Sequence, residues 1–216
     1  MSCFTLLSQE NSLINEFMRE LRDENIQKDR LRFRKNIIRI GEIIAYEISK
    51  TLDFEAAEIR TSLGVKTSAL LNTQPVICSV LRAGLPFQMG LLEFFDHADS
   101  AFISAYRKYS SETEFDIVVQ YMATPELNER VLILADPMLA TGHSLVSTYH
   151  ALKKNGKPKR LIIASLIGSK QGLAYVQKEI PEADIFMADC DDILNEHAYI
   201  VPGLGDAGDL AFGEKL

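Results

Sequence analysis

The sequence predicts an α/β protein with a mainly parallel sheet flanked by helices. Short apolar runs alternate with helical stretches from Val76 onward, and this alternation is typical of a parallel sheet covered on both faces. The run Val131–Ala135 is apolar at every position, as expected of a strand buried on both faces. The chain has 216 residues, a length that suits one large domain.

The first 55 residues are predicted to form a helical arm. The isoleucines at 37, 40, 44 and 48 recur at helical spacing and are interleaved with charged residues. Segment 23–39 is rich in Arg and Lys, and we interpret it either as a solvated helix face or as an arm that contacts a second subunit. Residues 58–71 then predict a hairpin that turns at Leu63–Gly64.

Residues 76–216 are predicted to form the core of a single domain that comprises residues 1–216. Strands are predicted where apolar or β-branched residues form short runs, at 76–81, 101–106, 115–122, 131–135, 161–167 and 185–188. Helices are predicted between them, at 86–95, 142–154 and 171–178. We expect strand 115–122 to belong to a small β excursion from the core sheet.

Composition narrows the class of function. The chain has 23 Lys+Arg and 30 Asp+Glu, a net charge of −7, which disfavours a broad nucleic-acid-binding face. Its three cysteines are scattered and form no CxxC pair, so neither a disulfide framework nor a zinc site is indicated. No apolar stretch approaches the ~18 residues of a membrane span, and no secretory signal is visible. We therefore expect a soluble cytoplasmic protein.

Ligands of parallel α/β sheets bind beyond the carboxyl ends of the strands. The segment 136–144 follows such a strand and reads Asp-Pro-Met-Leu-Ala-Thr-Gly-His-Ser. Its Thr, Gly and Ser lie at a predicted helix N-terminus, where backbone N–H groups and the helix dipole favour an anion. Alone, these residues indicate only a capped helix. The preceding Asp136 shifts the interpretation toward a phosphorylated sugar, with the acid on the ribose hydroxyls.

Two arginines follow other predicted strands, and a glycine-rich loop lies near the C-terminus. Arg82 and Arg107 suit a second anion, although each alone is typical of a surface arginine. Segment 199–209 contains Pro202 and three glycines, which predict an ordered turn rather than a helix or strand. Such a loop presents its peptide groups to a small planar ligand, or else caps the sheet.

These segments together resemble uracil phosphoribosyltransferases. The resemblance rests on Leu-Arg-Ala-Gly-Leu at 81–85, the loop at 136–142, Leu-Asn-Glu-His at 194–197 and Tyr-Ile-Val-Pro-Gly-Leu-Gly-Asp-Ala-Gly-Asp at 199–209. It is weak over residues 17–71 and strong from residue 76 to the end. It implies the type I phosphoribosyltransferase fold and the conversion of uracil and 5-phosphoribosyl 1-pyrophosphate into uridine monophosphate and pyrophosphate.

The resemblance also implies roles for individual residues. Asp136 and Arg107 would be catalytic. The phosphoribosyl pyrophosphate site would comprise Arg82, Arg107, Asp136, Pro137, Met138, Leu139, Ala140, Thr141, Gly142, His143, Ser144 and Asp206. The uracil site would comprise Ile200, Gly205, Asp206 and Ala207. Mg²⁺ would be carried mainly by the pyrophosphate substrate, without a protein metal cage.

His143 departs from the family pattern, which usually has a small residue there, and we expect its side chain to point away from the phosphate. The resemblance further implies a homo-oligomer, at least a dimer.

Two alternative functions remain open at this point. One is a non-catalytic pyrimidine-nucleotide sensor of the same fold that binds RNA through the Arg-rich segment. The other is an enzyme that uses a different base, which the C-terminal loop disfavours.

Overall fold

A computed structural model gives the structure of the protein. It describes residues 3–109 and 115–215, and within this part the side chains of residues 105–109 and 115–119 are not described. The strands are β1 (Phe4–Leu6), β2 (Phe54–Arg60), β3 (Val65–Leu71), β4 (Val76–Val80), β5 (Asp99–Tyr109), β6 (Phe115–Ala123), β7 (Val131–Ala135), β8 (Met138–Leu139), β9 (Arg160–Ser169), β10 (Asp184–Asp191), β11 (Ile193–Leu194) and β12 (Ile200–Val201). The helices are α1 (Leu13–Arg22), α2 (Arg30–Ser49), α3 (Gly84–Leu92), α4 (His143–Leu152), α5 (Lys170–Glu179) and α6 (Ala207–Phe212), and 3₁₀ turns lie at Leu7–Gln9 and Lys153–Asn155.

The main sheet has the strand order β1-β10-β9-β7-β4-β5-β6, and the short β8 also pairs with β9. All its pairings are parallel except that of β5 with β6. This confirms the predicted fold class. The apolar run at Val131–Ala135 is the central strand β7, which pairs with β4 on one side and β9 on the other.

Helices cover both faces of this sheet. One apolar cluster joins α1, α2, α3 and α6 to one face, and a second joins α4 and α5 to the other. Helix α2 buries the isoleucines at its helical spacing, as the periodicity predicts. Its N-terminus is capped by Asp29, whose side chain accepts a hydrogen bond from the Arg32 amide.

Two regions differ from the sequence-based expectation. Within the predicted helical arm, residues 4–6 form β1, which pairs with β10 at the edge of the main sheet. The predicted excursion strand is present as β6, but it pairs with β5 and belongs to the main sheet. The first difference arises from pairing with a strand distant along the chain, which local propensity does not encode, whereas β6 pairs antiparallel with the strand that directly precedes it. The hairpin of β2 and β3 forms a separate two-stranded sheet and begins at Phe54, earlier than predicted.

None of the helices in the described part of the chain is long and apolar enough to cross a lipid bilayer.

Candidate active site

The carboxyl ends of β4, β7 and β10 lie at the same edge of the sheet, because these strands are parallel members of it. Each is followed by one of the segments singled out in the sequence. Arg82 follows β4, Asp136 follows β7, and the C-terminal segment follows β10. The topology therefore gathers three segments that are far apart along the chain at one edge of the sheet.

Asp136 stands directly after β7, and its backbone amide donates to the Ala164 carbonyl at 3.0 Å. One of its carboxylate oxygens accepts a hydrogen bond from the Met138 amide at 3.2 Å. Burial raises the pKa of Asp136 from its ordinary value of 3.8 to about 6, although the Met138 amide opposes the shift. The carboxylate is therefore ionised at neutral pH and is held at the end of a rigid strand.

Because burial disfavours the ionised carboxylate, Asp136 lowers the free energy of unfolding above pH 6. The unfolded chain releases the proton at lower pH than the folded protein, so stability falls as the pH rises between these two pKa values. Asp136→Asn keeps the shape and an acceptor for the Met138 amide but carries no charge. We expect it to be more stable than the wild type near neutral pH, by up to about 3 kcal/mol. Chemical denaturation at neutral pH and near pH 4 measures this, and the advantage should disappear at the lower pH. An equal difference at both pH values would contradict it.

The loop after Asp136 leads into α4. Gly142 precedes the helix with φ of +80°, a conformation that L side chains rarely adopt. Thr141 Oγ1 accepts from the His143 amide at 3.4 Å. The His143 ring packs edge-on against Tyr175 of α5, with the ring centroids 4.3 Å apart. The backbone amides at the start of α4 thus form a helix N-terminus suited to an anion.

Arg82 begins the loop after β4, and its guanidinium contacts the C-terminal segment. One nitrogen donates to Asp209 Oδ1 at 2.6 Å and another to the Gly213 carbonyl at 3.1 Å. Gly208 lies beside it, since a Cβ at Gly208 would stand 3.5 Å from the Arg82 side chain. These bonds orient the Arg82 guanidinium, and because the side chain is 38% exposed, part of it remains accessible.

Arg107 lies within β5, which continues to Tyr109. The sequence predicts an earlier end of this strand at residue 106, but the pairing with β6 extends it. The Arg107 side chain lies outside the described part of the chain.

The C-terminal segment is more regular than the sequence predicts. Residues 200–201 form β12, which pairs with β11, and helix α6 begins at Ala207. Asp206 is the N-cap of this helix, and its Oδ1 accepts from the amides of Gly208 and Asp209 at 2.8 and 3.0 Å. The prediction of a turn without helix is therefore wrong for its last residues. The glycine at 208 suggested a turn, but the cap at Asp206 starts a helix despite it.

The residues expected to bind uracil surround this turn. Ile200 and Ala207 are buried, and Gly205 is exposed with φ of +91°. The Asn195 amide donates to the Tyr199 carbonyl at 2.9 Å. Since hydrogen-bonded and non-hydrogen-bonded pairs alternate in an antiparallel ladder, the peptide groups of Ile200 point away from its partner strand.

Sequence reasoning missed three charged residues at the end of β10. The Arg22 guanidinium, at the end of α1, donates to Asp189 at 2.6 Å and to both carboxylate oxygens of Asp191 at 2.8 Å. It also donates to the Gly203 carbonyl at 2.9 Å. Burial opposes its charge, but hydrogen bonds to the two aspartates raise the pKa of Arg22 on balance. The acids that follow the predicted strand 185–188 were a signal for this cluster, whereas nothing local identified Arg22.

The Arg-rich segment makes contacts within the chain. Arg32 pairs with Glu20 at 2.6 Å, Arg34 donates to the Ala211 carbonyl at 2.6 Å, and the Arg39 guanidinium lies over the Phe17 ring. These three arginines therefore hold α1 and α6 against α2. Arg30, Arg32, Lys35 and Arg39 are nevertheless exposed, as expected of a solvated helix face, and contact with a second subunit stays a prediction.

The chain is similar in sequence and fold to several known proteins. Residues 8–214 match the family model described as uracil phosphoribosyltransferase. A curated uracil phosphoribosyltransferase of Porphyromonas gingivalis is 49% identical over 97% of this chain and 98% of its own, and one from Thermococcus gammatolerans is 40% identical over 96% and 92%. A solved Aquifex aeolicus structure is 30% identical over 97% of this chain and 98% of its own, with a TM-score of 0.86. A purine phosphoribosyltransferase from Pyrococcus horikoshii shares the fold at a TM-score of 0.50 and 15% identity, over 72% and 83% of the two chains.

Proposed function

The chain belongs to the uracil phosphoribosyltransferase family, and we propose that the three segments at the carboxyl edge of its sheet form the active site. The enzyme joins uracil to the ribosyl group of 5-phosphoribosyl 1-pyrophosphate in pyrimidine salvage, giving uridine monophosphate and pyrophosphate. The observation that carries the assignment of the site is the convergence of Arg82, Asp136 and the segment 200–207 at one sheet edge.

Asp136 would accept hydrogen bonds from the ribose hydroxyls, and residues 137–144 would hold the 5-phosphate. An ionised carboxylate at a strand end and the backbone amides at the start of α4 support these roles. Arg82 and Arg107 would bind the pyrophosphate, with Arg107 also acting in catalysis. We call residues 200–206 the base loop. Asp206 would support both subsites, because it caps α6, the helix that follows this loop.

The reaction requires no protein nucleophile. Displacement at the anomeric carbon builds positive charge on the sugar and negative charge on the departing pyrophosphate. Asp136 would orient the ribose, and the arginines would stabilise the charge that develops on the leaving group. Catalysis in this scheme comes from positioning and electrostatic stabilisation.

Mg²⁺ would enter mainly on the pyrophosphate oxygens. In the described residues there is no group of three or more His, Cys, Asp or Glu side chains placed to hold a metal ion. Asp136 offers a carboxylate of the kind that Mg²⁺ prefers, and Mg²⁺ commonly keeps several waters and binds substrate phosphates. The ion would neutralise charge on the pyrophosphate as it leaves.

We expect substitution of Arg82 or Arg107 to weaken the binding of one substrate and not of the other. Arg82→Ala and Arg107→Ala should weaken the binding of phosphoribosyl pyrophosphate roughly tenfold or more, because each removes charge-assisted hydrogen bonds. Uracil binding should change little. Titration of each ligand measures this, with uracil titrated at concentrations of pyrophosphate and Mg²⁺ that saturate each variant. Arg130→Ala, which removes an arginine paired with Asp99, is the control. A selective loss of uracil affinity in the first two variants would contradict the assignment.

A second candidate function is a non-catalytic sensor that binds RNA through the Arg-rich segment. The engagement of Arg32, Arg34 and Arg39 within the chain favours the enzyme. A product assay with phosphoribosyl pyrophosphate, Mg²⁺ and a panel of bases separates the two. The enzyme should release pyrophosphate with uracil and not with purines or orotate, whereas RNA binding without turnover would indicate the sensor.

The enzyme would act as a homo-oligomer, at least a dimer. The hairpin of β2 and β3 supports this, because it exposes Phe54, Leu63, Val65 and Leu70, and an isolated two-stranded hairpin is marginally stable in water. Sedimentation at micromolar concentration tests it.

Residues 1–216 would form one domain, since α1 and α2 share an apolar cluster with the sheet. Free Cys3, Cys78 and Cys190 support a reducing, cytoplasmic location.

A further inference from the structure

Both backbone polar groups of Gly203, its N–H and its C=O, are hydrogen-bonded to charged side chains. Asp191 Oδ2 accepts from the Gly203 amide at 2.8 Å, and Arg22 donates to the Gly203 carbonyl at 2.9 Å. The same arginine is bonded to both oxygens of Asp191. We call these three residues the Gly203 clamp. It connects α1, near the start of the chain, to the C-terminal segment, 181 residues away.

The two charged residues of the clamp, Arg22 and Asp191, are attached to rigid elements of the fold. Arg22 is the last residue of α1, whose Ile14, Met18 and Leu21 are buried in the core. The Asp191 side chain is 10% exposed and stands at the end of β10. A planar guanidinium that meets a carboxylate through two parallel bonds has a fixed orientation. The helix and the strand therefore determine where the Gly203 peptide lies.

Gly203 is the point at which the base loop changes direction. Its φ is +61°, and a Cβ there would overlap the Ile200 carbonyl oxygen. The turn brings this glycine close to Ile200, and Gly205 follows two residues later. A shift of the Gly203 peptide would therefore move the backbone groups on both sides of it.

We propose that Arg22 and Asp191 are positioning residues for the base: they hold Gly203 so that the backbone groups between Ile200 and Ala207 face the uracil ring. This inference rests on the proposed uracil site. Because the groups proposed to bind the base are backbone N–H and C=O groups, their position depends on the backbone conformation of the loop alone. Hydrogen bonds weaken steeply with misalignment, so a loop released from the clamp binds the base less well. Phosphoribosyl pyrophosphate is affected less, because only Asp206 of its proposed site lies in this loop.

The same strand offers a matched control at its other end. Arg160 donates to Asp184 Oδ2 at 2.7 Å, and its side chain is about as exposed as that of Arg22. Asp184 begins β10, at the amino edge of the sheet. Arg160→Ala therefore removes a comparable arginine–aspartate pair without contact to the base loop, and it separates loss of stability from loss of positioning.

The test compares Arg22→Ala, Arg22→Lys, Asp191→Asn and Arg160→Ala by steady-state kinetics. In Arg22→Ala the KM for uracil should rise roughly tenfold or more, with the KM for phosphoribosyl pyrophosphate within about twofold of the wild type. Lysine keeps the charge but lacks the fork, so Arg22→Lys should fall between wild type and Arg22→Ala. Arg160→Ala should keep both KM values.

Hydrogen exchange gives a readout that does not depend on turnover. Amides of residues 203–207 should exchange faster in Arg22→Ala than in the wild type, whereas those of α4 should not. Unchanged exchange in the loop would overturn the clamp. So would an unchanged uracil KM, or a rise in both KM values matched by Arg160→Ala. If Arg22→Ala does not fold, Arg22→Lys and Asp191→Asn decide by the same measurements. A wild-type protein that does not use uracil would refute the proposed function instead, and exchange would still test the clamp.

Discussion

Asp136→Ala is expected to reduce kcat/KM for phosphoribosyl pyrophosphate on the order of a thousandfold. The carboxylate is ionised at neutral pH because its pKa of about 6 lies below 7. The substitution removes a charged acceptor for the ribose hydroxyls and the orientation that it imposes on the sugar, and misplacement of the reacting carbon lowers the rate further. Initial rates over a range of substrate concentrations measure the effect.

Two variants make this result specific. Asp136→Asn keeps an acceptor in the same place and should retain more activity than the alanine variant. Asp99→Ala removes an acid at the start of β5, where it pairs with Arg130, and should leave kcat/KM near that of the wild type. A folded Asp136→Ala protein with normal turnover would show that the ribose is held elsewhere.

The second large effect concerns the choice of base. We expect the wild type to prefer uracil over cytosine by roughly 10⁴-fold or more in kcat/KM, because a site built on matched hydrogen bonds leaves polar groups unpaired with the wrong base. Uracil presents two carbonyls flanking a ring N–H. Amides at Gly205 and Ala207 and the Ile200 carbonyl would match this pattern, whereas cytosine would set donor against donor.

Gly205→Val should abolish use of uracil. The valine would stand in the exposed loop at a φ of +91°, which a β-branched residue rarely adopts, so both its side chain and the displaced backbone would disturb base binding. Gly156→Val is the matched control, because Gly156 also has a positive φ but lies before β9, at the amino edge of the sheet. The control should lose stability and keep its preference for uracil. Comparable use of cytosine by the wild type, or full activity of Gly205→Val, would show that this loop does not read the base.

The sequence alone identified the fold class, the family and the edge of the sheet that carries the proposed site. Strands buried on both faces are continuous apolar runs, so β4, β7 and β9 are visible from composition over a few residues. The proposed anion site at the start of α4 depends on a glycine and a strand-end acid that are neighbours along the chain. Such local features need no tertiary information. The roles of individual site residues stay predictions.

Contacts between distant segments were decided by the tertiary structure. The pairing of β1 with β10 joins residues about 180 positions apart, and no local pattern in Phe4–Leu6 distinguishes a strand from the helical arm. The Arg-rich segment has the composition of a solvated face, yet Arg34 reaches the end of α6. Arg22 meets Asp191 and Gly203 only because α1 packs beside the end of β10. A charged side chain has many partners of equal chemistry along the sequence, and folding selects the one that lies within about 3 Å of it.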